Sequence, residues 1–389
     1  MSWKKSTIGD VLSVIKNGIN CEQNKNPVGN KITRIETIAK KRFDFERVGY
    51  ANLSEAEKLK SQLKVGDILF SHINSPIHVG KTAIYEGEEN IYHGINLLLM
   101  RTKEEIDPYF FNHFLNHLFT TGYWEENCKK SVNQASVNQK DISKVQFNYP
   151  PLPTQQTIVA KLDAIFAEID KATAAAEANA KNAEALFQSY LKQVFSENGD
   201  DWQTVALGDV CKVISGQSPE GKYYNNNGVG LPFYQGKKDF GKVYINPPTV
   251  WTSEVTKEAI KDDILMSVRA PVGPVNISRE NICIGRGLAA IRSMEKIDKA
   301  YLFHFLLSKE KELVGSSGAV FNSINKGQIE KLEIPLPPLP TQQTIIAKLD
   351  ALSAEVTKSA QSYQNKVNQL VTLRQSILRQ AFTGELVKE

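Results

Sequence analysis

The chain has 389 residues, 41% of them hydrophobic and 23% charged, with a net charge of +4 and a pI near 8.6. That length suggests roughly two to four domain-sized units, and the composition is that of a globular chain, not a disordered one. No apolar run approaches the roughly 20 residues of a membrane-crossing helix, and Cys21, Cys128, Cys211 and Cys283 are too scattered for a disulfide framework or a zinc site.

In chain order, the opening "MSWKKSTIGDVL" has basic residues but no apolar segment after them, so no secretory signal is visible and a cytoplasmic protein is expected. Short apolar or alternating runs follow: "DILFSHI" (67–73), "KTAIYEG" (81–87) and "NLLLM" (96–100). Gly, Pro and Asn turns separate them, which predicts a small mixed sheet with long loops. "PYFFNHFLNHLFTTGYW" (108–124) reads as a supporting helix. "PPLPT" (150–154) is a rigid, extended elbow, because proline fixes φ and donates no hydrogen bond. Thr154 is then the predicted cap of a helix of about 40 residues. Its apolar positions Ile158, Leu162, Ile165, Ile169, Phe187 and Tyr190 recur in three- and four-residue steps on one face. The pattern then begins again: "DILMSVR" (263–269), "GPVNIS" (273–278) and "LAAIR" (288–292) predict strands, and residues 299–315 a helix. A second elbow (337–341), capped by Thr341, leads into a second long helix with the stripe Ile345, Leu349, Leu352, Val356, Leu370 and Ile377.

The chain is one unit written twice. "PPLPTQQTIVAKLD" from Pro150 returns as "PPLPTQQTIIAKLD" from Pro337, 187 positions later, and "LFQSYLKQVF" (186–195) aligns with "LRQSILRQAF" (373–382) without a gap. Upstream the match persists with drifting offset: "WKKSTIGDVLSVI" with "WQTVALGDVCKVI", "GDILFS" with "DDILMS", "HGINLLLMR" with "IGRGLAAIR". The predicted organisation is a variable α+β domain (1–149), a long helix (150–197), a second variable α+β domain (198–336) and a second long helix (337–389). A 40-residue helix is about 60 Å long, more than one small core covers, so the two stripes are expected to seam the helices together. An antiparallel coiled coil related by an approximate twofold axis would satisfy both.

No active site is legible. "SPIHVGKT" (75–82) has Ser75 where a phosphate-binding loop needs its first glycine, and it lies between strands, so it reads as a hairpin connection. "NPPTVW" (246–251) has Thr249 where an adenine methyltransferase needs an aromatic residue to stack on its flipped base, and no glycine-rich cofactor turn precedes it. His113 and His117 lie at i, i+4 spacing, but they and His72, His78, His93 and His304 lack the partners of a metal centre. Neither catalytic nor metal-binding residues are therefore predicted.

What remains is a set of loops in which cations mix with amides and hydroxyls: "EQNKNPVGNKITR" (22–34), "GKYYNNNG" (221–228) and "YQGKKDFGK" (234–242). These are the side chains that read base edges and hold phosphates. The candidate DNA-binding residues are Lys25, Lys31, Arg34, Asn74, Lys81, Lys222, Asn225, Gln235, Lys237, Lys238, Arg269 and Arg286. Two diverged domains on faithfully copied helices suggest two readers and a ruler between them. A stand-alone methyltransferase and a scaffold without DNA are the competing readings.

The duplicated elbow and helix, the "W…(I/L)GDV" opening, "GDILFSHINS" and "VRAPVG…IGRGLAAI" together resemble the DNA-specificity subunits (HsdS) of Type I restriction-modification systems, over essentially the whole chain. One departure is Thr154 and Thr341, where members of that family often carry an acidic residue. The resemblance implies a non-catalytic subunit whose two target-recognition domains each read half of a bipartite, gapped, asymmetric site in double-stranded DNA. It further implies helices that set the spacer and dock two methyltransferase subunits, with restriction-translocation subunits joining through that core. No cofactor is expected on this chain; S-adenosylmethionine and ATP with magnesium belong to the partners.

Overall fold

The computed structural model describes residues 3–87, 89–132, 134–196, 202–314 and 323–387. Two compact units emerge: Met1–Ala176 with Asn365–Glu389, and Glu177–Gln364. Of the junctions expected from sequence, that at 197/198 lies outside the described residues, as does Gly315 at the end of the predicted 299–315 helix.

In the first unit, β1 (Leu12–Asn17), β2 (Ile68–Phe70), β3 (Thr82–Ile84) and β4 (Leu98–Thr102) form an antiparallel sheet in the order β1-β4-β2-β3. α1 (Pro108–Thr120) and the N-terminal part of α2 (Leu152–Ser196) follow it. In the second unit, β5 (Cys211–Ser215), β6 (Ile264–Ser267), β7 (Val275–Ile277) and β8 (Leu288–Ser293) repeat that order as β5-β8-β6-β7. α3 (Lys299–Val314) and α4 (Leu339–Thr383) complete the repeat.

Central strands β2 and β4 are covered on both faces, which is why they read as apolar runs instead of alternating ones. Ile68, Phe70, Leu98 and Met100 enter the core beneath the helices. Leu69 and Leu99 point the other way, into a second core under the long loops. In the second unit Ile264 and Met266 face the helices while Leu265 and Ala290 face the loops. Burying each of the Ile, Leu, Met and Phe side chains contributes roughly 1.5–3 kcal/mol.

The elbows differ from expectation in one detail. Gln155 N–H bonds to the Pro151 carbonyl and Gln342 N–H to that of Pro338, so the helices begin at Leu152 and Leu339 and the caps are Pro151 and Pro338, not Thr154 and Thr341. Pro153 and Pro340 then stand at the second helical position, where a missing N–H costs nothing because no intrahelical acceptor exists there.

The seam residues are shared between helix and domain. Ile158, Leu162 and Ile169 are buried, and Ile165, Leu370 and Ile377 partly so, in one core with Leu378 and Ala381 of α4 and Phe110, Phe111 and Phe114 of α1. Phe187 and Leu349 are buried, with Tyr190, Ile345, Leu352 and Val356 against them, in the second unit's core beside Tyr301 and Phe305 of α3. Early α2 meets late α4, and late α2 meets early α4, so the two helices pack antiparallel. The stripes do not serve a two-helix seam alone; each end of each helix also roots in a recognition domain. Phe166, Leu191 and Phe195, buried at four-residue steps beside residues of the predicted stripes, complete this contact.

Candidate nucleic-acid interface

Three polar devices repeat in the two units: two hold the variable domain to its long helix and one braces the domain itself. Gln155 is fully buried: its Oε1 accepts from the Asp107 N–H (2.9 Å), and its Nε2 donates to the carbonyls of Glu105 (3.0 Å) and Pro150 (2.9 Å). Gln342 repeats this with the Asp298 N–H (2.8 Å) and the carbonyls of Lys296 (3.1 Å) and Pro337 (2.9 Å). Each glutamine thus satisfies every donor and acceptor of its amide where water does not reach. Asp107 in turn caps α1 by accepting from the N–H groups of Tyr109 and Phe110. One residue of the elbow therefore fixes both the helix entry and the start of the domain's own helix.

The second device is a caged carboxylate. Asp67 accepts two bonds from the Arg101 guanidinium (2.6 and 2.7 Å) and one from the Lys64 N–H (2.8 Å). Asp263 takes the same three from Arg292 (2.8 and 2.8 Å) and the Ile260 N–H (2.9 Å). The carboxylate bond raises each arginine above its ordinary pKa. The third is a histidine-carboxylate contact between domain helix and long helix, His113–Asp163 at 3.0 Å and His304–Asp350 at 2.8 Å.

Burial governs three of the other histidines. His93 is buried, with Nε2 against the Leu97 carbonyl at 3.0 Å and Nδ1 unpartnered, and burial depresses its pKa to about 4. His72 and His117 are likewise pushed down by burial. Among the described residues no group of three His, Cys, Asp or Glu side chains could hold a metal ion, and no helix is long and apolar enough to cross a membrane. Burial pushes the Cys211 thiol up to about 12, so it is held as a neutral core side chain.

The structure sorts the twelve candidate DNA-binding residues into three groups. Gln235, Lys237, Lys238, Arg269 and Arg286 converge on one open cleft of about 720 Å³ in the second unit. All five are exposed, and among the described residues the four cations stand in no ion pair. The cleft wall is a Gly-Arg-Gly turn pressed against Gln235, just past the strand Leu231–Tyr234: a Cβ on Gly287 would lie 2.2 Å from the Gln235 carbonyl oxygen. Only glycine permits that approach.

Asn74 lines a cleft of about 620 Å³ in the first unit, with its amide held locally by Ser71 and the Ser75 N–H. The remaining candidates are spent or isolated. Lys31 is paired with Glu89, Arg34 with Glu36 at 3.4 Å and Lys222 with Glu220 at 2.7 Å. Lys81 donates to the Ala39 carbonyl (3.1 Å), and Asn225 staples its own loop through Val229 and Asn227. Lys25 is exposed on a bend.

The "SPIHVGKT" segment is a turn of 3-10 helix leading into β3, its Gly80 (φ +89°) lying against the Trp124 ring. Thr249 of "NPPTVW" lines a small cavity of about 100 Å³ beside Tyr224 and Phe233. Sequence reasoning passed over the hairpin of Lys129–Ser131 and Gln134–Ser136, which joins the first cleft through Ile73–Asn74 and exposes Lys129 and Lys130. Its signal was "KKSVNQASVN", two lysines within an alternating polar run.

This duplicated framework has counterparts among known proteins. Residues 1–179 and 199–369 match the Type I restriction modification DNA specificity domain, in two copies. The chain belongs to that family. It is a specificity subunit, a DNA-recognition component and not a catalytic one. It is 38% identical to the MjaX type I restriction enzyme specificity subunit of Methanocaldococcus jannaschii, over 99% of this chain and 93% of that protein. Its fold matches a chain from a structural study of complex assembly and conformational transition of the type I R-M system, with a TM-score of 0.81, 29% identity and coverage of 99% of this chain and 98% of that one. The HsdS subunit of Thermoanaerobacter tengcongensis matches with a TM-score of 0.59 and 28% identity, over 99% of this chain and 97% of that one. In this specificity subunit, then, the copied residues hold the framework and the diverged residues line the clefts.

Proposed function

We propose that each recognition domain reads one half of a bipartite, gapped, asymmetric site in double-stranded DNA, while the two long helices set the gap and dock two methyltransferase subunits. The observation that carries this reading is the contrast between copied framework and diverged clefts. Gln155 and Gln342, Asp67 and Asp263, His113 and His304 repeat the same contacts. The clefts at equivalent places carry different side chains. A scaffold gains nothing from two such domains, whereas two readers of unlike half-sites need a common mount and different fingers.

Chemistry then belongs to the partners. The methyltransferase subunits would carry S-adenosylmethionine and methylate adenine; restriction-translocation subunits, joining through that core, would use ATP and magnesium. The assembly would act in the cytoplasm, where its DNA is. Long-read methylation sequencing of a host expressing this chain with its cognate methyltransferase subunit, against each alone, tests this. Methylated adenines confined to a gapped motif, present only with both chains, are expected. Methylation by this chain alone, or a continuous motif, would refute the proposal. Binding to DNA should also weaken steeply with salt, since phosphate neutralisation releases counterions.

A further inference from the structure

The two clefts occupy the same station of the repeat, and two side chains within them have changed chemistry. Ile73 pairs with Ser136 in the first unit, and Arg269 pairs with Ser323 in the second; these serines are themselves 187 positions apart, the spacing of the repeated elbow. Ile95 follows Gly94 and stands six residues before Arg101 of the caged pair; Arg286 follows Gly285 and stands six before Arg292. Both pairs line their clefts. At two equivalent stations the first unit therefore offers hydrocarbon where the second offers a guanidinium.

Neither side chain is placed there by the core. Ile73 and Ile95 are 37% and 36% exposed, although isoleucine is among the residues most often buried. Among the described residues the first cleft has no Lys or Arg in its lining, and the amides of Asn96 and Gln134 project from exposed positions beside the isoleucines. Arg269 and Arg286 are exposed and, among the described residues, paired with no carboxylate, next to Lys237 and Lys238. A planar guanidinium fits the O6 and N7 acceptors of guanine, an amide fits the N6 and N7 pattern of adenine, and an aliphatic side chain fits the thymine methyl.

Resting on the function proposed above, we infer that the second unit reads a half-site with guanine opposite Arg269 and Arg286, and that the first unit reads A·T pairs opposite Ile73 and Ile95. In the second cleft Lys237 and Lys238 supply phosphate contacts, which position without specifying.

The test uses the complex of this chain with its methyltransferase subunits. The motif is first read by methylation sequencing; absence of any gapped motif would defeat the underlying function, not merely this assignment. Arg269→Lys, Arg286→Lys, Ile73→Ala and Ile95→Ala complexes, each of wild-type size and helicity, are then titrated with duplexes substituted at every motif position. Each arginine variant is expected to lose about 5- to 150-fold of the preference for one G·C pair, the range of one bidentate contact. Both positions must fall in the same half-site. The isoleucine variants are expected to relax A·T positions in the other half. The assignment is overturned if the arginine positions are not G·C, if the isoleucine positions are not A·T, or if affinity falls by one factor for all duplexes, as loss of a phosphate contact would give. A wild-type motif without guanine in either half would overturn it before any variant is made.

Discussion

Replacing Gln155 by leucine removes three hydrogen bonds at a site with no access to water. The Asp107 N–H and the carbonyls of Glu105 and Pro150 lose their partner together. At about 1 kcal/mol for each buried group left unmade, the low end of the usual range, the loss is about 3 kcal/mol. For a folded unit of about 200 residues this lowers Tm by about 6–12 °C. Because Asp107 also caps α1, the damage is local in a defined way: amide exchange should accelerate at Asp107, Tyr109 and Phe110 before it does in β2 or β4. Gln342→Leu should do the same at Asp298 and the start of α3. Gln156, the exposed neighbour in the same string, is the control, and Gln156→Leu should stay within about 0.5 kcal/mol of the parent. Thermal melts with hydrogen exchange read by mass spectrometry measure both. A Q155L protein that melts within 2 °C of the parent and still protects the Asp107 amide would refute the idea that this glutamine locks the elbow.

Asp67→Ala and Asp263→Ala each uncage a guanidinium and free a backbone N–H, and should cost about 3 kcal/mol in urea unfolding, since breaking a buried pair costs more than the pair is worth. Asp170→Asn breaks the exposed contact with Arg374 and should change the urea midpoint by less than about 0.5 kcal/mol equivalent. Stability should fall on acidification through His93: its folded pKa near 4 lies below the ordinary 6.5, so the unfolded chain binds the extra proton between those values. By pH 4.5 this removes on the order of 2 kcal/mol relative to pH 7, and a His93→Asn variant compared with the parent at both pH values should be less sensitive to the acidification.

Much of the architecture is written in the chain as repetition. The proline elbow, the apolar stripes and the apolar β2 and β6 runs follow from local rules of backbone geometry and periodicity, so two α+β domains on two long helices could be read directly. The helix starts were misplaced because Thr154 and Thr341 look like caps, whereas proline carbonyls already accept the first helical bonds. Gln155 was visible as a letter of the repeated string but not as a lock, because its partners lie 48 and 50 residues upstream. The stripe on α2 was likewise read as a seam with one partner, although Phe110 and Phe114 claim part of it.

For the recognition surface the division is sharper. Composition marked loops rich in Lys, Asn and Gln, yet Lys31, Arg34, Lys81 and Asn225 are engaged by neighbours that sequence spacing does not disclose. Convergence of Gln235, Lys237, Lys238, Arg269 and Arg286 required three separate chain segments to meet. The pairing of Ile95 with Arg286 is contained in the matched strings "HGINLLLMR" and "IGRGLAAIR", whereas that of Ile73 with Arg269 is fixed by their backbone pairing with Ser136 and Ser323. Local propensity and duplication are properties of neighbours along the chain and survive in one dimension. Which cations remain free, and which side chains share a cleft, depends on contacts between distant segments that only folding brings together.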